Sequence, residues 1–197
     1  MTRNHFLGTL SAIALVGSLA PAVHAQTFAA PYAWTTTLTA GSGTIDIDAA
    51  TSGSWNSGTP WIRYYGALSF IPDTSGSYTL AATGANLNGG TDTTYLLYSG
   101  VFDPLSPATG FLSLNDDFGG DVLSNITASL TSGNTYTLVS STYNQGDTGT
   151  IDNQISGPVG ANIALAGGAS APEPGSIALL GLVALPAIGL IRRRKSA

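Results

Sequence analysis

Residues 64–82 read Tyr64-Tyr65-Gly66-Ala67-Leu68-Ser69-Phe70-Ile71-Pro72-Asp73-Thr74-Ser75-Gly76-Ser77-Tyr78-Thr79-Leu80-Ala81-Ala82, and this stretch decides the fold class. Tyr64, Gly66, Leu68 and Phe70 fall on one face at every second position. Asp73-Thr74-Ser75-Gly76 then supplies turn chemistry, because short polar side chains bond to nearby backbone and Gly reaches conformations closed to other residues. Beyond the turn Tyr78, Leu80 and Ala82 alternate with Thr79 and Ala81. Successive side chains of a strand point to opposite faces, so a period of two on both sides of a turn predicts strands.

The same pattern continues in both directions. Ile45 and Ile47 alternate with Asp46 and Asp48, and Tyr95–Tyr98 is a short apolar run. Phe111, Ser113 and Asn115 alternate with Leu112 and Leu114; Ile126, Ala128 and Leu130 with Thr127 and Ser129; Tyr136, Leu138 and Ser140 with Thr137 and Val139. Asn88-Gly89-Gly90, Phe118-Gly119-Gly120 and Ser132-Gly133-Asn134 separate the runs as turns. Thr and Tyr enrichment suits pleated surfaces. No helical period of useful length appears here. About eight to ten short strands predict an all-β fold, a single β-sandwich or jelly roll over residues 26–156. A faint repeat supports it. Ser75-Gly76-Ser77-Tyr78-Thr79-Leu80 resembles Ser132-Gly133-Asn134-Thr135-Tyr136-Thr137-Leu138, each after an alternating strand. Two such hairpins would bury Tyr78 and Tyr136 at comparable places in a two-sheet core.

Charge divides the chain into three. Residues 1–25 carry only Arg3, residues 26–171 carry ten Asp and Arg63, and residues 172–197 carry Glu173 against Arg192, Arg193, Arg194 and Lys195. The net charge of −5 over 197 residues therefore hides a middle segment at −9. That segment has no His, Cys, Lys, Glu or Met. The usual zinc ligand sets, cysteine nucleophiles, Ser–His–Asp triads and disulfide scaffolds cannot be built from it. With a single Arg it cannot neutralise a phosphate backbone, so nucleic acid is excluded as a partner. Its polar surface comes instead from Ser and Thr, 39 of 146 residues.

Both ends read as addresses. Residues 1–25 form a secretory signal peptide, with Arg3 before an apolar stretch from Phe6 to Ala20, Pro21, and small residues at Val23 and Ala25. Signal peptidase would cut between Ala25 and Gln26. Residues 157–171 (GPVGANIALAGGASA) read as a final strand and a flexible linker. Pro172-Glu173-Pro174 is followed by a 15-residue apolar run, Ile177–Ile191, and then by Arg192, Arg193, Arg194 and Lys195. As a helix at about 1.5 Å per residue the run reaches about 22 Å, short of a hydrocarbon core of about 30 Å. The basic cluster would stop it on the cytoplasmic side. A marginal span behind a polar motif suits a temporary membrane anchor that processing removes.

This tail resembles the PEP-CTERM sorting signal of exported bacterial proteins, over residues 172–197. The resemblance implies that Pro172, Glu173 and Pro174 are recognised by an exosortase, a membrane transpeptidase. It also implies delivery to the cell envelope, cell surface or extracellular matrix, often in association with exopolysaccharide, biofilm or flocs. From Asp92 to Ser141, the succession Tyr95-Leu96-Leu97-Tyr98, Leu114-Asn115-Asp116-Asp117, a Gly pair, Ser124-Asn125-Ile126-Thr127 and Leu130–Leu138 loosely resembles the bacterial pre-peptidase C-terminal β-sandwich. That family implies an accessory module for adhesion or targeting, not a catalyst.

Three sites compete for chemistry. Asn115, Asp116, Asp117 and Asp121 on a Gly-rich turn offer oxygens of the kind calcium takes, six to eight at a time; the same residues also serve as ordinary turn caps. The pairs Asp46/Asp48 and Asp147/Asp152, with Asp116, Asp117 and Asp121, meet the residue requirement of an Asp-based glycoside hydrolase, which needs two carboxyls about 5–10 Å apart. Trp55 and Trp61 are set for sugar stacking if exposed, and for closing the sandwich end if buried. The reading expected from the whole chain is a non-enzymatic exported surface or matrix protein. A secreted carbohydrate- or calcium-binding module stands as the alternative and an Asp-based glycosidase as a weaker one; no cofactor beyond calcium is expected.

Overall fold

The computed structural model describes residues 26–53 and 62–166. The signal peptide with Ala25, the pair Trp55 and Trp61, and the tail with Pro172, Glu173, Pro174, Arg192, Arg193, Arg194 and Lys195 lie outside the described residues. Among those described, no helix is long and apolar enough to cross a membrane.

Among the described residues eleven strands form: β1 (Thr27–Ala29), β2 (Tyr32–Leu38), β3 (Thr44–Asp46), β4 (Ile62–Pro72), β5 (Gly76–Leu87), β6 (Thr93–Ser99), β7 (Phe111–Asn115), β8 (Asn125–Leu130), β9 (Tyr136–Thr142), β10 (Gly149–Ser156) and β11 (Asn162–Leu165). One helical turn, α1 (Ile47–Ala50), follows β3. A larger sheet runs β1-β11-β4-β9-β6-β7, with β3 added to β4, and a smaller one runs β2-β10-β5-β8. Every pairing is antiparallel. The chain is all-β, as expected, with more strands than the alternation alone predicted.

The alternation decides which side chains enter the core. Phe70, Tyr78, Leu80, Ala82, Ile126, Leu130, Tyr136 and Leu138 fill the space between the sheets, with Tyr64, Leu68 and Ala128 packed against them. Gly66, in the same row of β4, allows the sheets to approach: a Cβ there would lie 2.4 Å from Cγ2 of Thr36. A second cluster covers the outer face of the larger sheet, where Leu96, Tyr98 and Val139 meet Ile45, Ile47, Ala50 and Phe102. This explains why Tyr95–Tyr98 is apolar throughout. β6 is covered on both faces, Tyr95 and Leu97 pointing to one cluster and Leu96 and Tyr98 to the other.

Two expectations change. The Ile45–Asp48 alternation does not continue as a strand. Oδ1 of Asp46 accepts from Asp48 N–H at 3.1 Å and Ala49 N–H at 3.4 Å, an N-cap that starts α1 and still buries both Ile45 and Ile47. The repeated Gly turns do not close hairpins, because β4 and β5 belong to different sheets, as do β8 and β9. Each turn is an arch from one sheet to the other. The strand foreseen within 157–171 is β11, which pairs with both β1 and β4, so the folded unit continues past 156. Gln26, the first residue after the expected cleavage, accepts from Leu165 N–H at 3.0 Å and ties the chain start to this strand.

Candidate functional site

A single cation and several carboxylates gather at one end of the fold. Arg63, on β4, is 1% exposed. Its Nε donates to the Tyr143 carbonyl at 2.6 Å, and the guanidinium lies 5.8 Å from the Tyr143 ring centroid. Burial lowers its pKa to about 10, against the pull of Tyr143, Asp46, Asp48 and Asp92, so it stays charged at neutral pH. An open cleft of about 280 Å³ lies beside it, between β3, the start of β4 and the turn at Gln145 and Gly146.

Asp92, just before β6, is the most perturbed carboxyl. Burial pushes its pKa up to about 6, and Asp117, Asp116 and Asp147 add to the rise while Arg63 opposes it. Its Oδ1 is buried and has no hydrogen-bond partner among the described residues. Asp116 is raised as well, first by burial and then by Asp117. Asp147 is buried and packs onto Gly89, where a Cβ would meet its carboxylate oxygens at 2.3 and 2.4 Å.

In the turn proposed for calcium, one side-chain oxygen each of Asn115, Asp116 and Asp121 accepts from the backbone. Oδ1 of Asn115 accepts from Asn125 N–H at 2.8 Å, and its Nδ2 donates to the Asp117 carbonyl at 2.8 Å. Asp116 Oδ1 accepts from Asp117 N–H at 3.0 Å, and Asp121 Oδ1 from Val122 N–H at 2.8 Å. Asp92, distant in sequence, lies within electrostatic reach of Asp116 and Asp117 and also of Asp147. Chain reading passed over Asp92 because it stands alone between turn residues. The retained Arg63 was the available signal, since one arginine among ten aspartates is a natural internal counter-charge.

The aspartates named for glycoside hydrolysis fall in different settings, while Asp46 and Asp48 remain neighbours, as do Asp116 and Asp117. Asp46 caps α1, Asp48 is buried in its first turn, and Asp152 sits on the exposed outer face of β10, where it accepts from Thr35 Oγ1 at 2.7 Å. Asp147 faces the β5–β6 turn.

The outer face of the smaller sheet is different in kind. Thr35 and Thr37 on β2, Thr150, Asp152 and Gln154 on β10, Ser77, Thr79, Thr83 and Asn86 on β5, and Thr127 and Ser129 on β8 stand on it. Asp152 is its one charge. No family model matches this chain, and no curated protein sequence matches it. The fold and these two surfaces define a two-sheet antiparallel β domain with an acidic end and a hydroxyl-rich face.

Proposed function

We propose that this protein is an exported, non-enzymatic cell-surface or extracellular-matrix protein. Its PEP-CTERM-like tail would be handled by an exosortase-type transpeptidase, and its folded domain would associate with exopolysaccharide. The observation that carries the polymer association is the hydroxyl- and carboxamide-rich outer face of the smaller sheet. Side chains of this kind exchange hydrogen bonds with neutral sugars without the desolvation cost of charge. The absence of His, Cys, Lys and Glu from residues 26–171, and the use of Asp46, Asp73, Asp103, Asp116 and Asp121 as acceptors of backbone N–H groups, support a role without turnover. Intact mass of the protein from its host, with and without the exosortase, tests the sorting. A mass ending at Ala197 in both strains refutes it. Retention on the host's exopolysaccharide tests the association, and release by wash buffer alone refutes that part.

One observation favours a second reading, a calcium-binding module: the buried, unpartnered Oδ1 of Asp92 beside Asp116, Asp117 and Asp147. Calorimetry with calcium, and melting with and without chelator, tests it. No heat and no shift in Tm remove it.

A further inference from the structure

Among the described residues the two sheets end at β1 and β7 and at β2 and β8, with the three-residue β3 appended to β4, and these edges differ in charge and length. β1 has three residues. β7 and β8 flank the loop that holds Asp116, Asp117 and Asp121, and β7 is broken by a register shift opposite Leu97 and Tyr98. β2 is seven residues long and reads Tyr32-Ala33-Trp34-Thr35-Thr36-Thr37-Leu38. It contains no charge, no Gly and no Pro, and all but Ala33 and Leu38 are strong strand formers. Among the described residues it pairs with β10 on one side and with no strand on the other. An edge of this kind presents a row of backbone donors and acceptors to any other strand. Proteins usually blunt such an edge with Lys, Pro or a bulge, and none of these is present in β2.

We infer that β2 is the contact by which two copies of this chain pair, antiparallel about a two-fold axis at Thr35. The occupant is a second copy for two reasons. The first is charge. The folded segment is strongly acidic, and two copies can approach only where carboxylates are sparse. Residues 27–38 carry none, and the nearest on the adjoining strand, Asp152, already accepts from Thr35. The second is self-complementarity. With Thr35 opposite Thr35 of the other copy, Trp34 falls opposite Thr36, Ala33 opposite Thr37 and Tyr32 opposite Leu38. Aromatic rings then meet branched side chains, a favourable cross-strand pairing. Phe28, Tyr32 and Trp34, only partly buried and in a run with ring centroids 4.6 and 5.8 Å apart, would gain cover on the inner side. The pairing merges two four-stranded sheets into one of eight and makes a single hydroxyl-rich face. A two-fold contact closes as a dimer and does not propagate into a fibre. This inference does not depend on export or on polysaccharide.

Ala33 and Thr37 are exposed, face neutral neighbours on β10 (Gln154 and Thr150) and lie opposite each other across the axis, so they test the register directly. The purified full chain is compared in sedimentation velocity over a dilution series with two double variants, Ala33→Glu/Thr37→Glu and Ala33→Glu/Thr37→Lys. The tail contributes equally to all three. The wild type should sediment as a dimer. The Glu/Glu variant sets like charges opposite each other twice and should raise the dissociation constant about tenfold or more. The Glu/Lys variant sets opposite charges there and should restore the dimer, while circular dichroism and Tm stay alike in both. A monomeric wild type, or two variants that behave the same, overturns the proposal.

Discussion

Tyr78 and Tyr136 stand on facing sheets, each a few residues past its own arch, and each phenol is bonded to the backbone of that arch. Tyr78 donates to the Thr74 carbonyl at 2.8 Å, and Tyr136 accepts from Thr131 N–H at 3.0 Å. The two arches also touch. Ser132 N–H donates to Ser75 Oγ at 2.9 Å, and Ser132 Oγ donates to the Asp73 carbonyl at 2.6 Å. Gly133 holds the second arch at φ +78°. Tyr78→Phe and Tyr136→Phe should each lower stability by about 1 kcal/mol, the net worth of one hydrogen bond. Urea unfolding measures it, and unchanged midpoints in both variants would show that the bonds hold nothing.

Asn153 on β10 joins the sheets through a buried network. Its Oδ1 accepts from Tyr95 and from Ser140, and its Nδ2 donates to Thr36 Oγ1 and the Ile151 carbonyl. Asn153→Ala orphans two buried hydroxyls, and a loss of about 2–4 kcal/mol is expected from the desolvation they suffer. Burial also holds the Tyr95 phenol well above its usual range. In an alkaline titration followed by absorbance, Tyr95→Phe should therefore remove no tyrosine from the early-ionising set. If it does, the network is open to solvent.

Asp92 makes stability depend on pH. Its carboxyl has a pKa of about 6 in the fold and 3.8 ordinarily. The native state therefore holds the extra proton between about pH 4 and 6, and stability falls as pH rises through that window. The penalty is complete above it. Asp92→Asn should raise stability at pH 7 by about 1 kcal/mol, after allowing for solvent screening of a partly exposed group. It should also flatten the decline between pH 4 and 6. A variant that keeps the wild-type slope would place the titration on another residue.

Gly66 faces Thr36 so closely that Gly66→Ala should cost about 1–3 kcal/mol through overpacking. Thr36→Ser removes the obstructing methyl and keeps the hydroxyl that Asn153 uses. The double variant should regain most of the loss in a denaturant titration. Failure to recover would mean that the defect lies in the β4 backbone instead.

How much was legible follows from the range of each force. Period-two runs such as Tyr64 to Phe70 and Ile126 to Leu130 are local signals, because strand geometry alone sends alternate side chains to one face. Those assignments agree with the core. The arches looked like hairpins because a Gly turn specifies that the chain reverses, not which sheet receives the next strand. Ile47 looked like strand because Asp46 could alternate or cap, and capping won once Ile45 and Ile47 had a sheet face to cover.

By itself the sequence determined the alternation, the turns and the sparse charge that excludes whole classes of chemistry. The tertiary structure decided which strands share a sheet, that Asp46, Asp48 and Asp92 come within electrostatic reach of the buried Arg63 while Asp116, Asp117 and Asp147 act on Asp92, and that β2 is left as an uncharged edge. The reason is physical. Alternation and turn chemistry act over a few residues, whereas pairing, burial and electrostatic neighbourhoods arise between segments tens of residues apart, where only the packed chain brings them together.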